Sequence, residues 1–173
     1  MINKKKNNFN LLNNFSNKSL GIIGGGQLGK MIAISASRLG IKTSIYDPDI
    51  NAPAFQNANK VFCAKYENRT QLKKFAKSVD YITYEFENIS LKSLEGINQK
   101  GIIFPGIKAL KYSQDRYLEK KFISNLKIEP APYSKVDNLN EFYDALKLFK
   151  GNAILKTRRL GYDGKGQYLI KNG

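Results

Sequence analysis

The stretch SLGIIGGGQLGKM, Ser19 to Met31, decides the fold. Its apolar run Leu20–Ile23 reads as a buried strand, three consecutive glycines follow, and helical spacing begins at Gln27 with Leu28, Ile32, Ser35 and Leu39 on one face. Gly40 supplies a C-terminal stop, and Thr43–Tyr46 reads as the next strand, completing one βαβ unit. Gly24, Gly26 and Gly29 match G-x-G-x-x-G. Such a turn exposes N–H groups at the positive end of a helix dipole and can hold an anion. Asp47 lies at about the spacing of a ribose-binding carboxylate, so an NAD-dependent oxidoreductase is one reading. Tight strand-to-helix packing with no ligand at all is another, and the motif alone does not separate them.

Outward from this unit, strands are predicted at Val61–Ala64 and Tyr81–Tyr84 around a helix at Arg69–Lys77, with a short strand at Ile102–Phe104 closed by Pro105-Gly106. Strands alternating with helices predict an α/β, Rossmann-like domain with a parallel sheet and its ligand at the carboxyl edge, over residues 19–112. Residues 113–173 change texture and read as the incomplete start of a second domain. They hold a helix near Gln114–Leu126, the turn Pro130-Ala131-Pro132, a strand at Tyr133–Val136 and a helix at Leu139–Phe149. A strand at Ala153–Thr157, a glycine-rich basic loop and a returning strand at Gln167–Ile170 follow. Residues 1–18, rich in Asn and Lys, read as a disordered basic extension that buries too little surface to offset its ordering entropy.

Composition narrows the chemistry. The chain has 173 residues, no histidine and one cysteine, Cys63, which removes Ser-His, Cys-His and zinc chemistry along with any intrachain disulfide. No apolar run reaches membrane-spanning length and no export signal is evident, so a cytoplasmic protein without membrane attachment is the expectation. The formal net charge is +15, yet the basic residues are mostly lysines scattered from Lys4 to Lys171 with no Arg-aromatic stripe, which argues against nucleic acid as the partner.

Three further constellations carry chemistry. In TYEFENIS, Thr83–Ser90, Glu85 and Glu87 alternate with Phe86, so an extended backbone puts both carboxylates on one face beside the glycine turn. Paired acids of this kind are as often plain solvated surface. In ILKT, Lys156 ends an apolar strand and is a phosphate-ligand candidate. In RRLGYDGKGQ, Arg158–Gln167, glycines among Arg158, Arg159 and Lys165 predict a mobile cationic loop able to close over polyphosphate, although an ordinary hairpin turn would read the same. Asp163 within it would stay ionised and could accept a proton from a weakly acidic amine.

Taken in this order, GGGQLGKM, TYEFEN, SQDR and LKTRRLGYDGKGQ resemble the N5-carboxyaminoimidazole ribonucleotide synthetase family of ATP-grasp ligases in purine biosynthesis, from about Leu20 onward. Gln27 and Tyr162-Asp163 favour it over the related glycinamide ribonucleotide transformylase. The resemblance implies a Rossmann-like pre-ATP-grasp domain followed by the truncated start of an ATP-grasp domain. It implies 5-aminoimidazole ribonucleotide, ATP and bicarbonate as substrates, magnesium as cofactor and a homodimer. By matching motif, Arg116 and Lys156 would bind ATP phosphates, and Gly161, Tyr162, Asp163, Gly164, Lys165, Gly166 and Gln167 would fold over them. Tyr162 would also face the aminoimidazole, with Asp163 taking the amine proton. Gly26, Gln27, Leu28, Glu85 and Glu87 would line the ribonucleotide pocket between the domains, so the turn's ligand is not NAD. Family members are about twice this length, and their further part carries the magnesium ligands. The expectation is therefore no metal site in this chain and no activity from it alone, whether it is a truncated product, half of a split enzyme or an excised fragment. A noncatalytic ribonucleotide-binding remnant is the alternative.

Overall fold

The computed structural model describes residues 17–98, 101–161 and 164–171. The chain divides into two compact units, one ending at Ile107 and the other starting at Lys108.

The first unit is built on four parallel strands, β1 (Ser19–Ile23), β2 (Lys42–Asp47), β3 (Lys60–Cys63) and β4 (Tyr81–Tyr84), in the order β3-β2-β1-β4. Ile22 pairs with Ile45 on one side and Thr83 on the other, so β1 is central. Helices α1 (Gln27–Arg38), α2 (Arg69–Lys77) and α3 (Leu91–Glu95) and a 3-10 turn at Pro53–Asn57 connect and flank the strands. Strand alternation sends Ile22 and Ile45 into a cluster with Ala33 of α1 and Ala54. Tyr46 instead meets Phe75 of α2 edge-on at 5.5 Å, and Phe62 of β3 meets the same ring at 5.4 Å. Both sheet faces are thus buried, which is why β1 reads as an apolar run and why four successive residues of β2, Thr43 to Tyr46, are all buried. Residues 102–104 form no strand; a single bridge, Ile82 to Ile103, extends the sheet beyond β4.

The buried face of α1 departs from the expectation. Gly29, Ala33 and Ala36 lie against the sheet, whereas Leu28, Met31 and Leu39 are more than half exposed. Small residues let the helix axis approach the turn and the strands closely; of the expected face, Ile32 packs against the same cluster while Ser35 is exposed. Lys18, placed by the sequence in a disordered extension, is bound to Asp80 at 3.3 Å; residues 1–16 lie outside the described residues.

The second unit contains most of α4 (Ile107–Ser113), then α5 (Arg116–Asn125), α6 (Leu139–Leu148), β5 (Ala153–Lys156) and β6 (Gln167–Ile170). The single long helix expected from Gln114 is thus preceded by a separate one, and α5 starts after Asp115, whose carboxylate accepts from the Tyr117 and Leu118 amides at 3.0 and 3.1 Å. Asn138 caps α6 in the same way. Residues 133–136 are not a strand: β5 pairs antiparallel with β6, and Pro130 and Pro132 remove ladder donors just upstream. That segment instead lines a cavity of about 370 Å³ between α5, α6 and β5.

Candidate functional site

In the first unit the candidate site is the turn Gly24–Gly26 at the carboxyl edge of β1. Gly24 sits at φ +105°, accessible to glycine, and α1 begins three residues later at Gln27. A Cβ on Gly29 would fall inside 3.0 Å of the Gly24 carbonyl oxygen, so the third motif glycine serves the close approach of α1 to the turn.

The amides that could hold an anion are already occupied by the protein's own carboxylates. Gly25 N–H donates to Asp47 Oδ2 at 2.6 Å and Gly26 N–H to Glu85 Oε1 at 3.2 Å. Asp47 Oδ2 also accepts from the Tyr66 hydroxyl at 3.0 Å, and Asp47 Oδ1 from the Asp49 amide at 2.8 Å. Asp47 is therefore a structural acceptor for the turn and for Tyr66, and the NAD reading loses its ribose-binding carboxylate. Burial raises the Glu85 carboxyl above the usual glutamate range; the Gly26 amide works against that shift and the Asp47 charge with it. Burial, then the Asp47 carboxylate, push the Tyr66 hydroxyl upward, so it stays a protonated donor.

Among the sequence candidates here, Gly26 and Glu85 are brought into contact, and Gln27 and Leu28 start α1 with exposed side chains. The extended alternation proposed for Glu85 and Glu87 stops with β4 at Tyr84; Glu87 lies in the following bend, half-buried. Phe86 packs on Tyr66 with ring centroids 5.5 Å apart.

In the second unit the basic loop leaves β5 at Lys156 and returns at Gln167, and these two residues are register partners. Thr157 fastens the neck: its amide donates to Gly166 O at 2.8 Å, and its side chain fills the space where a Cβ on Gly161 or Gly166 would lie. Arg116 Nη2 donates to Gly161 O at 2.8 Å, joining two predicted phosphate ligands. Lys156, Gly164 and Lys165 are exposed. Tyr162 and Asp163 lie outside the described residues.

The loop is less free at its base than the sequence suggested. Arg158 gives Asp115 two hydrogen bonds, Nη2 to Oδ2 at 2.6 Å and Nε to Oδ1 at 3.3 Å, and lies over the Tyr117 ring at 5.5 Å. Arg159 Nη2 donates to Gln114 Oε1 at 2.7 Å. Burial opposes ionisation of Asp115, but the Arg158 bond and charge and the two helix amides outweigh it and hold the carboxyl below the usual aspartate range. Asp115 was readable as a cap ahead of a helix; its pairing with Arg158, 43 residues away, left no local signal. Nothing in the sequence marked Tyr66.

Two family models match in succession, the ribonucleotide synthetase preATP-grasp domain over residues 17–114 and the ATP-grasp domain over 121–173. The parallel α/β unit with its glycine turn falls within the first match, and the hairpin with its basic glycine loop within the second. N5-carboxyaminoimidazole ribonucleotide synthases from Brucella melitensis and Bacillus subtilis are each 44% identical to this chain over 152 residues, covering 88% of it and 42% and 40% of theirs. A crystal structure of N5-carboxyaminoimidazole synthetase from Staphylococcus aureus complexed with ADP superposes with TM-score 0.86 at 39% identity, over 90% of this chain and 42% of that one. The chain belongs to the N5-carboxyaminoimidazole ribonucleotide synthase family and spans about two fifths of the length of the curated relatives it matches.

Proposed function

We propose that this chain supplies the ribonucleotide-binding turn and the phosphate loop of an ATP-dependent carbon-nitrogen ligase that carboxylates 5-aminoimidazole ribonucleotide, acting in the cytoplasm as a homodimer. The observation that carries the reading is the Arg116–Gly161 contact, which ties a cation at the start of α5 to the glycine loop beside Lys156.

Two steps account for the atoms. A bicarbonate oxygen attacks the γ-phosphorus of ATP, giving carboxyphosphate and ADP. The exocyclic amine of the ribonucleotide then attacks the carboxyl carbon, inorganic phosphate leaves, and the amine proton passes to Asp163. Arg116 and Lys156 hold the ATP phosphates as positive charges set around the transferring group. Gly161, Gly164, Lys165, Gly166 and Gln167 enclose those phosphates, and Tyr162 is assigned to the aminoimidazole side of the site. Gly26, Gln27, Leu28, Glu85 and Glu87 line the ribonucleotide pocket. Phosphoryl transfer depends on positioning and cationic neutralisation, so a chain without histidine is suited to it. Magnesium would neutralise charge between the phosphates. Among the described residues no group of three or more acidic or Cys side chains could hold a metal ion, so no step is assigned to this chain through it.

Calorimetric titration of the chain with ATP, 5-aminoimidazole ribonucleotide and NAD tests the reading. ATP and the ribonucleotide are expected to bind, and Arg116→Ala and Lys156→Ala each to weaken ATP at least tenfold while leaving the ribonucleotide unchanged. NAD binding tighter than about 1 mM would overturn it.

A further inference from the structure

We propose that Asp115 is a positioning residue for the phosphate loop: its carboxylate locks the base of the loop to the start of α5 through Arg158. The proposal rests on the reading of this loop as the ATP-phosphate site.

Three consecutive residues at the start of α5 each hold one point of the loop. Gln114 accepts from Arg159, Asp115 from Arg158, and Arg116 donates to the Gly161 carbonyl. The backbone adds a fourth tie, Arg116 N–H to Arg158 O at 3.0 Å. Asp115 is the member placed to act on all of them, because it does two jobs with one carboxylate. Oδ1 accepts from the Tyr117 and Leu118 amides and so fixes where the helix begins. The same group takes the Arg158 guanidinium through two nitrogens, a planar geometry that sets orientation as well as distance.

The surroundings favour a working pair. The Asp115 side chain is 9% exposed and that of Arg158 39%, so the pair is partly withdrawn from competing water. The Tyr117 ring covers one face of the guanidinium. Asp137, itself paired with Lys135, lies 3.6 Å from Arg158 and adds a second, weaker hold. Two consequences follow. Arg158 is committed to Asp115 and is not a phosphate ligand, unlike Lys156 two residues before it. The Arg116 guanidinium, starting on the residue next to the cap, reaches Gly161 only while helix start and loop base stay in register.

Substitutions at Asp115 separate capping from positioning. Asp115→Asn keeps a good helix cap but loses the charged pair with Arg158, whereas Asp115→Glu keeps a carboxylate for Arg158 but is a poor cap. Amide hydrogen exchange of the 173-residue chain, read at Arg116 and Thr157, whose N–H groups donate to Arg158 O and Gly166 O, and ATP affinity by calorimetry are the two measurements, with far-ultraviolet circular dichroism reporting helix content. Asp115→Asn is expected to leave helix content intact, to speed exchange at both amides at least tenfold and to weaken ATP about tenfold. Asp115→Glu should restore most of the loop protection. Arg158→Gln should match Asp115→Asn, and the double variant should be no worse than either. If Asp115→Asn behaves as wild type, or if Asn rescues the loop and Glu does not, Asp115 is a cap alone and the proposal is wrong. Loss of loop protection in a chain whose wild type binds no ATP would sustain the clamp and refute the nucleotide reading. Tight ATP binding with unchanged loop exchange in Asp115→Asn would do the reverse.

Discussion

Gly29→Ala is expected to destabilise the first unit, against the usual preference of helices. An alanine inside a helix is favoured over glycine by about 1 kcal/mol. At this position the new Cβ would sit inside 3.0 Å of the Gly24 carbonyl oxygen and 3.2 Å from its carbon. Both neighbours are backbone, so no rotamer change relieves the contact and the turn itself must retreat. Overpacking of that kind costs about 1–3 kcal/mol, and the retreat also stretches the 2.6 Å bond from Gly25 to Asp47. Set against the propensity gain, the net loss is up to about 2 kcal/mol. Native-state hydrogen exchange at the amides of Ile22, Ile23 and Ile45, all fully buried in the sheet, reads the stability of this unit. A loss of 1–2 kcal/mol corresponds to roughly 5- to 30-fold faster exchange. Gly96→Ala is the matched control. Gly96 has φ −64°, and its Cβ would meet the Lys92 and Ser93 carbonyl oxygens at an ordinary 3.5 Å. That change should be neutral or stabilising by up to about 1 kcal/mol. Exchange in Gly29→Ala as slow as in wild type would refute the argument that the third glycine exists for helix-to-turn contact.

Asp47→Ala strips the Gly25 amide, the Asp49 amide and the Tyr66 hydroxyl of their acceptor. Because a deprived buried donor costs about 1–3 kcal/mol, urea unfolding should show a loss of at least about 2 kcal/mol, and Tyr66→Phe a smaller one. Asp80 accepts from the amide and hydroxyl of Ser19, each at 2.8 Å, and these bonds, with Lys18, hold its carboxyl below the usual value of 3.8. A carboxylate with a lowered value adds stability above 3.8 that is lost as pH falls through the folded value. Asp80→Asn should therefore lower the melting temperature at pH 7 and converge on wild type towards pH 2; a difference that persists undiminished at pH 2 would contradict the assignment.

The elements of the parallel sheet were legible because buried strands carry a dense local signal: Leu20–Ile23 and Thr43–Tyr46 announce themselves within a few residues. The βαβ order and the glycine turn followed from the same local pattern. The buried face of α1 was legible only at Ile32, which packs on the core, since Gly29, Ala33 and Ala36 carry less hydrophobic signal than Leu28 and Leu39, which were read on the buried face and are exposed. The short helices α3 and α4 were missed for want of a full apolar period, and residues 133–136 carry strand-like residues without a strand partner. At the sites, residue types were readable but pairings were not. Asp47 had the spacing of a ribose ligand, and only the Tyr66 and Gly25 contacts show it turned inward. Arg158 and Arg159 read as free cations because Asp115 and Gln114 lie more than 40 residues earlier.

The carboxylates seated on Gly25 and Gly26 also bear on protein engineering. A designer who took this turn as a ready dinucleotide scaffold would begin with its two best donors spoken for and with negative charge where a pyrophosphate should sit. Retargeting would have to start by clearing Asp47 and Glu85, not by reshaping the glycines. Asp47 is wedged in by shape as well: a Cβ on Gly25 would meet the Asp47 Cβ at 2.9 Å and the Ala52 Cβ at 2.7 Å. Cofactor switching here is thus a problem of emptying an occupied seat, and the stability released by Asp47 must be replaced before any new ligand can be recruited.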